Sequence, residues 1–137
     1  MWPVPQTNLG HKTGNCFAAC VASILHLALE DVPNFCVFAG DWWIEMQKWL
    51  AEKGLTALEV KLAEQSLSTV TVGLPVIFTG KSPRGTHLHS VVGKAMEKGF
   101  VYAYDPHPEK TFLDGEPTHL LVFVALRPDL VVSSNRS

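Results

Sequence analysis

The stretch Gly14-Asn15-Cys16-Phe17-Ala18-Ala19-Cys20-Val21-Ala22-Ser23-Ile24-Leu25-His26-Leu27 constrains the fold more than any other part of the chain. Phe17, Cys20, Val21, Ile24 and Leu27 fall at helical spacing on one side, while Ala18, Ala22, Leu25 and Leu29 cover much of the other. A helix that is apolar nearly all round has to be wrapped by other elements, so a helix from about Cys16 to Leu29 is expected at the centre of a domain. Asn15 is the expected N-cap, because its side-chain oxygen can accept from free amides at the helix start. The Gly-Asn turn thus feeds the Cys16 thiol into a first helical turn, where unpaired amides and the helix dipole favour negative charge. The rest of the chain can be read as what surrounds Cys16.

A chain of 137 residues with 47% hydrophobic content makes one domain with a real core. Its formal charge of -2 gives no electrostatic reason to expect nucleic acid or an anionic membrane as a partner. No apolar run approaches the ~20 residues of a membrane span. Met1-Trp2-Pro3-Val4-Pro5-Gln6 lacks the basic and apolar regions of a signal peptide, so a cytoplasmic location is expected. Three cysteines, two of them one helical turn apart at Cys16 and Cys20, argue against a disulfide framework and suit a reducing compartment.

Residues 1–13, with two prolines, Gln6, Asn8, Gly10 and His11, read as an irregular arm laid over the surface. After the central helix, Glu30 to Asn34 is a break and Phe35-Cys36-Val37-Phe38 a short apolar insert. A second, amphipathic helix is expected from an Asp41 cap to a C-terminal Gly54, with Trp43, Met46 and Leu50 on one stripe beside Trp42 and Trp49. From Leu55 the period becomes strand-like. Strands are expected at Leu55–Leu62, Leu74–Thr79, Leu88–Ala95, Phe100–Tyr104 and His119–Leu126, with a turn of helix or loop at 63–68. Met96 to Gly99 is a hairpin turn, and 127–137 a polar, frayed tail. Helices first and an antiparallel sheet after them make an α+β arrangement.

His89 leads the strand Ser90-Val91-Val92-Gly93, and Asp105 ends the partner strand of the hairpin. Pairing across that hairpin sets an imidazole beside a carboxylate, the arrangement that orients a general base. Cys16, His89 and Asp105 then form a nucleophile, a base and an orienter. Gln6, upstream of the thiol, is a candidate side-chain donor to an oxyanion.

A Gln, a Gly-Asn-Cys entering a buried helix, a His leading an apolar strand and an Asp-Pro closing the next strand resemble the papain-like cysteine peptidase superfamily. The similarity is greatest to its small bacterial branches, the NlpC-type amidases and bacteriocin leader peptidase-like domains. The opening Gly-Asn-Cys-Phe-Ala-Ala-Cys also resembles short bacterial and phage proteins of undefined function. The resemblance covers roughly residues 6–106. It implies a papain-like fold, with the N-terminal helix buried against an antiparallel sheet. It also implies Cys16 as nucleophile, His89 as base, Asp105 as orienter and Gln6 as oxyanion donor. In the family the glutamine stands closer to the cysteine, where this chain has Gly10, so Asn15 or the Cys16 amide is the alternative oxyanion donor. Asn also serves as orienter in this superfamily, so Asp105→Asn is expected to be well tolerated.

The activity implied is thiol-dependent hydrolysis or acyl transfer at an amide or peptide bond, through an acyl-enzyme and without a cofactor. One alternative is a papain-like binding module without turnover. Another is a metal protein using His87, His89 and His107, although Cys16 and Cys20 lack zinc-ligand spacing and no carboxylate pattern supports the three histidines. Cys20 and Cys36 carry no catalytic context and are expected to pack. Gly80 to Thr86, with Lys81 and Arg84, is the candidate substrate-facing loop. The chain has no P-loop, dinucleotide fingerprint or Gly-x-Ser-x-Gly elbow.

Overall fold

The computed structural model describes residues 1–10, 14–37, 40–62, 73–97 and 99–134. Helix α1 spans Cys16–Leu25 and buries every residue from Phe17 to Ser23. It is shorter than its apolar pattern because His26 turns left-handed at φ 58°, and the amides of His26 and Leu27 both close on the Ala22 carbonyl. Trp2 stacks on the His26 ring, with centroids 4.7 Å apart. Ser23, the polar residue among those buried in α1, donates to the Ala19 carbonyl and accepts from the Val4 amide at 3.0 Å. A buried hydroxyl is thereby satisfied, and it anchors the N-terminal arm.

Asn15 does not cap the helix with its side chain. Its Oδ1 instead accepts from the amides of Thr7 and Asn8, at 3.0 and 2.9 Å, and its Nδ2 donates to Thr7 Oγ1. The arm reaches those side-chain atoms first, and the residue predicted to stop the helix becomes its tie to the arm.

A 3-10 turn at Leu29–Asp31 and another at Phe35–Val37 lead to helix α2, Trp42–Ala51. Met46 and Leu50 are its buried residues, and Gly54 takes φ 78° in the turn that follows. Five strands follow: β1 (Leu55–Lys61), β2 (Pro75–Lys81), β3 (Leu88–Ala95), β4 (Phe100–Tyr104) and β5 (His119–Ala125). They form one antiparallel sheet in the order β1-β5-β2-β3-β4. The loop or helical turn expected at 63–68 lies outside the described residues.

The α+β arrangement is therefore present, with α1 and α2 on one face. Phe17, Cys20, Val21, Met46 and Leu50 pack there with Ile77, Val92 and Leu121. On the opposite face Val76, Phe78, Val91, Leu120 and Leu113 form a second cluster, flanked by Tyr102 and Phe112. Each such fully buried side chain contributes roughly 1.5–3 kcal/mol.

The tail differs from expectation. Pro128–Ser134 forms a third helix, α3, with its residues exposed. Pro128 has its φ preset for a first helical turn, and Asp129 places a carboxylate at the N-terminal end while bridging to Arg127 at 2.7 Å. No helix among the described residues is long and apolar enough to cross a membrane.

Candidate active site

One irregularity in the sheet decides where Asp105 points. Strands β3 and β4 pair Gly93 with Tyr102 but Val92 with Tyr104, a one-residue shift at Val92/Gly93. A shift of one residue moves everything beyond it to the other face of a strand. With the bulge, Asp105 continues on the side of the sheet that His89 occupies; in a regular ladder it would fall on the opposite side. The bulge also needs a glycine, since a Cβ at Gly93 would meet the Phe78 ring and the Val101 carbonyl oxygen, each at 2.6 Å.

The result is a buried pair. His89 Nε2 and Asp105 Oδ1 are 2.7 Å apart, with the residues 3% and 0% exposed. The loop after β4 wraps the carboxylate. The His107 amide donates to Oδ1 at 2.9 Å, and the Phe112 amide donates to Oδ2 at 2.8 Å. Lys110 Nζ donates to the Asp105 carbonyl at 2.6 Å and lies over the Tyr104 ring. Lys110 and Phe112 both adopt positive φ, at 56° and 60°. Such backbone costs on the order of 1–3 kcal/mol per residue and persists where surrounding contacts hold it; here the contacts converge on Asp105.

Burial alone would raise the Asp105 carboxyl, but the His89 hydrogen bond and the two backbone amides outweigh it and lower its pKa. Burial likewise acts to lower His89. The hydrogen bonds to Asp105 and to Cys16, with their negative charges, prevail and raise it to about 9. The imidazole thus has the carboxylate on Nε2, which leaves Nδ1 as its second nitrogen, and Cys16 lines the same small cavity as His89. Burial pushes the Cys20 thiol well up; Cys36, expected to pack, is instead an exposed residue, although partial desolvation of its thiol, with a smaller contribution from Cys16, pushes it to about 11.

Cys16 lies where two cavities meet. One, of about 140 Å³, is lined by Gln6, Cys16, Arg84, His87, His89 and His107, among others. The other, of about 350 Å³, runs from Cys16 past Phe17, Cys36 and Trp42 to Leu88 and the Ser90 hydroxyl. Trp42 packs edge-on to Phe17 and to Trp43, so the tryptophans belong partly to the core while one ring lines the larger cavity.

Gln6 reaches the site although it lies ten positions before the cysteine. Its amide donates to the Pro106 carbonyl at 3.1 Å, which lays the arm across the end of β4. Its side-chain Nε2 donates one hydrogen to the Asn8 carbonyl at 3.0 Å and keeps a second. Asn15, with its side chain committed to the arm, borders a separate depression formed with Val4, Pro5 and Ala28. The cations of the 80–86 loop have acidic neighbours within the chain: Lys81 meets Asp114 at 3.2 Å, and Arg84 meets Glu109 at 3.6 Å and Thr111 Oγ1 at 2.8 Å. Among the described residues no three His, Cys, Asp or Glu side chains are arranged to hold a metal ion.

Sequence reasoning weighed His107 only as a possible metal ligand, and it missed a second part of this site altogether. The His107 ring, 7% exposed, stands perpendicular to His89 with centroids 6.1 Å apart and borders the small cavity. The Phe112 amide holds the carboxylate from a loop with no sequence signature of its own. The Asp105-Pro106-His107-Pro108 run was the available signal for the first, since two prolines stiffen the segment that carries the histidine. No family model matches the chain, and no match to it was found among curated proteins or solved structures.

Proposed function

We propose that the chain is a thiol-dependent hydrolase or acyltransferase acting on an amide or peptide bond, on a papain-like scaffold and in the cytoplasm. One observation carries the reading: a buried imidazole holds Asp105 on one nitrogen at 2.7 Å and lines a small cavity together with Cys16, which itself stands at the junction of two cavities. A structural histidine needs one partner; a base that relays a proton needs an orienter and a nucleophile.

In this reading His89 Nδ1 takes the Cys16 proton, and the sulfur attacks the substrate carbonyl carbon. The oxygen that becomes negative is met by amides at the start of α1 and by the second Nε2 hydrogen of Gln6. The imidazolium returns its proton to the departing nitrogen, the C–N bond breaks, and a thioester remains on Cys16. Water yields hydrolysis and an amine yields transfer. Asp105 holds the ring plane and stabilises the imidazolium throughout.

The test is acyl-enzyme formation by intact mass, using a panel of activated peptide and amide esters. A single adduct mapping to Cys16, absent in Cys16→Ala and strongly slowed in His89→Ala, is expected. An alkylation-competent Cys16 that accepts no acyl group from any of the panel would favour the binding-module reading, and an adduct on Cys20 or Cys36 would overturn the assignment.

A further inference from the structure

The floor of the larger cavity is a strip of sheet that carries polar side chains on the helix side. Alternate residues of a strand face the same side, and on the helix side Ala57, Leu121, Ile77 and Val92 belong to the core. Glu59, His119, Thr79 and Ser90 each stand two positions from one of these, so they face that side as well. In the ladder Thr79 pairs with His119 on one side and with Ser90 on the other. These four line the cavity with Leu88 and with the first residues of both helices, Cys16, Phe17 and Trp42. The cavity is open to solvent at its rim: Leu88 is 62% exposed, and Glu59 and Cys36 are exposed residues.

Most of the polar floor is occupied within the chain. The Thr79 and Ser90 hydroxyls bond each other at 2.9 Å, and His119 Nδ1 bonds Thr118 Oγ1 at 2.8 Å. Glu59 differs. It is the one permanently charged residue of the lining, and among the described residues it forms no ion pair. Lys61, two positions along the same strand on the same face, is exposed and outside the lining. The volume of about 350 Å³ is at the lower end of the roughly 300–1,000 Å³ of small-molecule sites, enough for one long side chain.

We infer that this cavity receives a lysine or arginine side chain from the residue whose carbonyl Cys16 attacks, with its methylenes against Trp42 and Leu88 and its charge at Glu59. Long basic side chains bury an apolar stem and keep the charged head at the water boundary, and apolar walls with an exposed carboxylate offer both. The inference rests on the reading of Cys16 as a nucleophile and narrows the substrate to an amide on the C-terminal side of a basic residue.

Two alkylating probes test it: the chloromethyl ketones of Nα-acetyl-lysine and Nα-acetyl-norleucine, which differ in the terminal ammonium. In each reaction the Cys16 sulfur forms a bond to the methylene carbon, chloride leaves with the bonding pair, and the thiol proton passes to His89. Rates at Cys16 at pH 8, read by peptide mapping, are divided by those of N-acetylcysteine with the same reagent. Cys16 should favour the lysine reagent by about three- to fivefold, the size of one partly exposed ion pair. Glu59→Gln should bring that ratio to near one, and Glu59→Lys should invert it. Glu52→Gln, the same change of net charge at an exposed residue outside the cavity, should leave the ratio in place. Leu88→Ala, at an exposed position, should slow both reagents alike by removing a wall that both stems touch. A normalised ratio near one in the wild type, or a preference that survives Glu59→Gln, overturns the subsite while leaving the nucleophile standing. A Cys16 that neither reagent labels overturns the nucleophile, and the subsite with it.

Discussion

Asp105→Asn is the substitution that most sharply tests the cradle around the candidate base. An orienter needs one acceptor oxygen, and on that ground alone asparagine should serve. The carboxylate here accepts three hydrogen bonds: from His89 Nε2 at 2.7 Å and the His107 amide at 2.9 Å on Oδ1, and from the Phe112 amide at 2.8 Å on Oδ2. Asparagine has one acceptor oxygen and one NH₂ group. Its better rotamer keeps oxygen at the Oδ1 position and turns NH₂ against the Phe112 N–H, donor facing donor. That leaves a buried amide unpaired, at about 1–3 kcal/mol, in a loop already carrying positive φ at Lys110 and Phe112. The imidazolium also loses its counter-charge, so the variant should fall between wild type and Asp105→Ala in both stability and Cys16 alkylation. Asp105→Ala removes all three acceptors and should cost more. Urea denaturation of the three proteins, with unchanged m-values, reads the free energies directly. An asparagine variant within ~0.5 kcal/mol of wild type, below the penalty for an orphaned buried amide, would refute the three-donor cradle.

Stability should also depend on pH through the same pair. The His89 pKa is raised from 6.5 to about 9, so its contribution is full below 6.5 and lost as pH rises through 9, a change on the order of 3 kcal/mol. The Asp105 contribution is full above the ordinary carboxyl value of 3.8 and lost as pH falls through its lowered folded value. Urea midpoints between pH 5 and 10 should therefore decline on the alkaline side in the wild type and less in His89→Leu; equal slopes would separate the histidine from the pair. At pH 7, iodoacetamide should label Cys16 before Cys20 and Cys36, whose thiols are both pushed up; equal labelling by peptide mapping would remove the distinction. Gly93→Ala should cost about 1–3 kcal/mol through overpacking against Phe78 and Val101 and should slow Cys16 alkylation by disturbing the bulge, whereas a neutral result would mean the bulge tolerates a Cβ.

Much of the fold was legible because its signals are local. The apolar run after Asn15 identified the buried helix, the change of period at Leu55 marked the start of the strands, and the pairing of Leu88–Ala95 with Phe100–Tyr104 followed from the turn between them. The same hairpin brought His89 and Asp105 together as candidates. What the sequence did not contain was set by contacts between distant segments. Asn15 had the composition of a cap, but the arm's amides at Thr7 and Asn8 compete for the same oxygen. The tail was polar enough to read as frayed, yet Pro128 and Asp129 start a helix. A one-residue bulge changes no composition, and it decides which face carries Asp105. Gln6 was a candidate donor, but its place ten positions before Cys16 follows no local period; a backbone bond to Pro106, a hundred positions away, lays it against the site. Periodicity and turn chemistry act over a few residues and can be read in one dimension, whereas face, register and the partner of a buried polar atom depend on which segments meet.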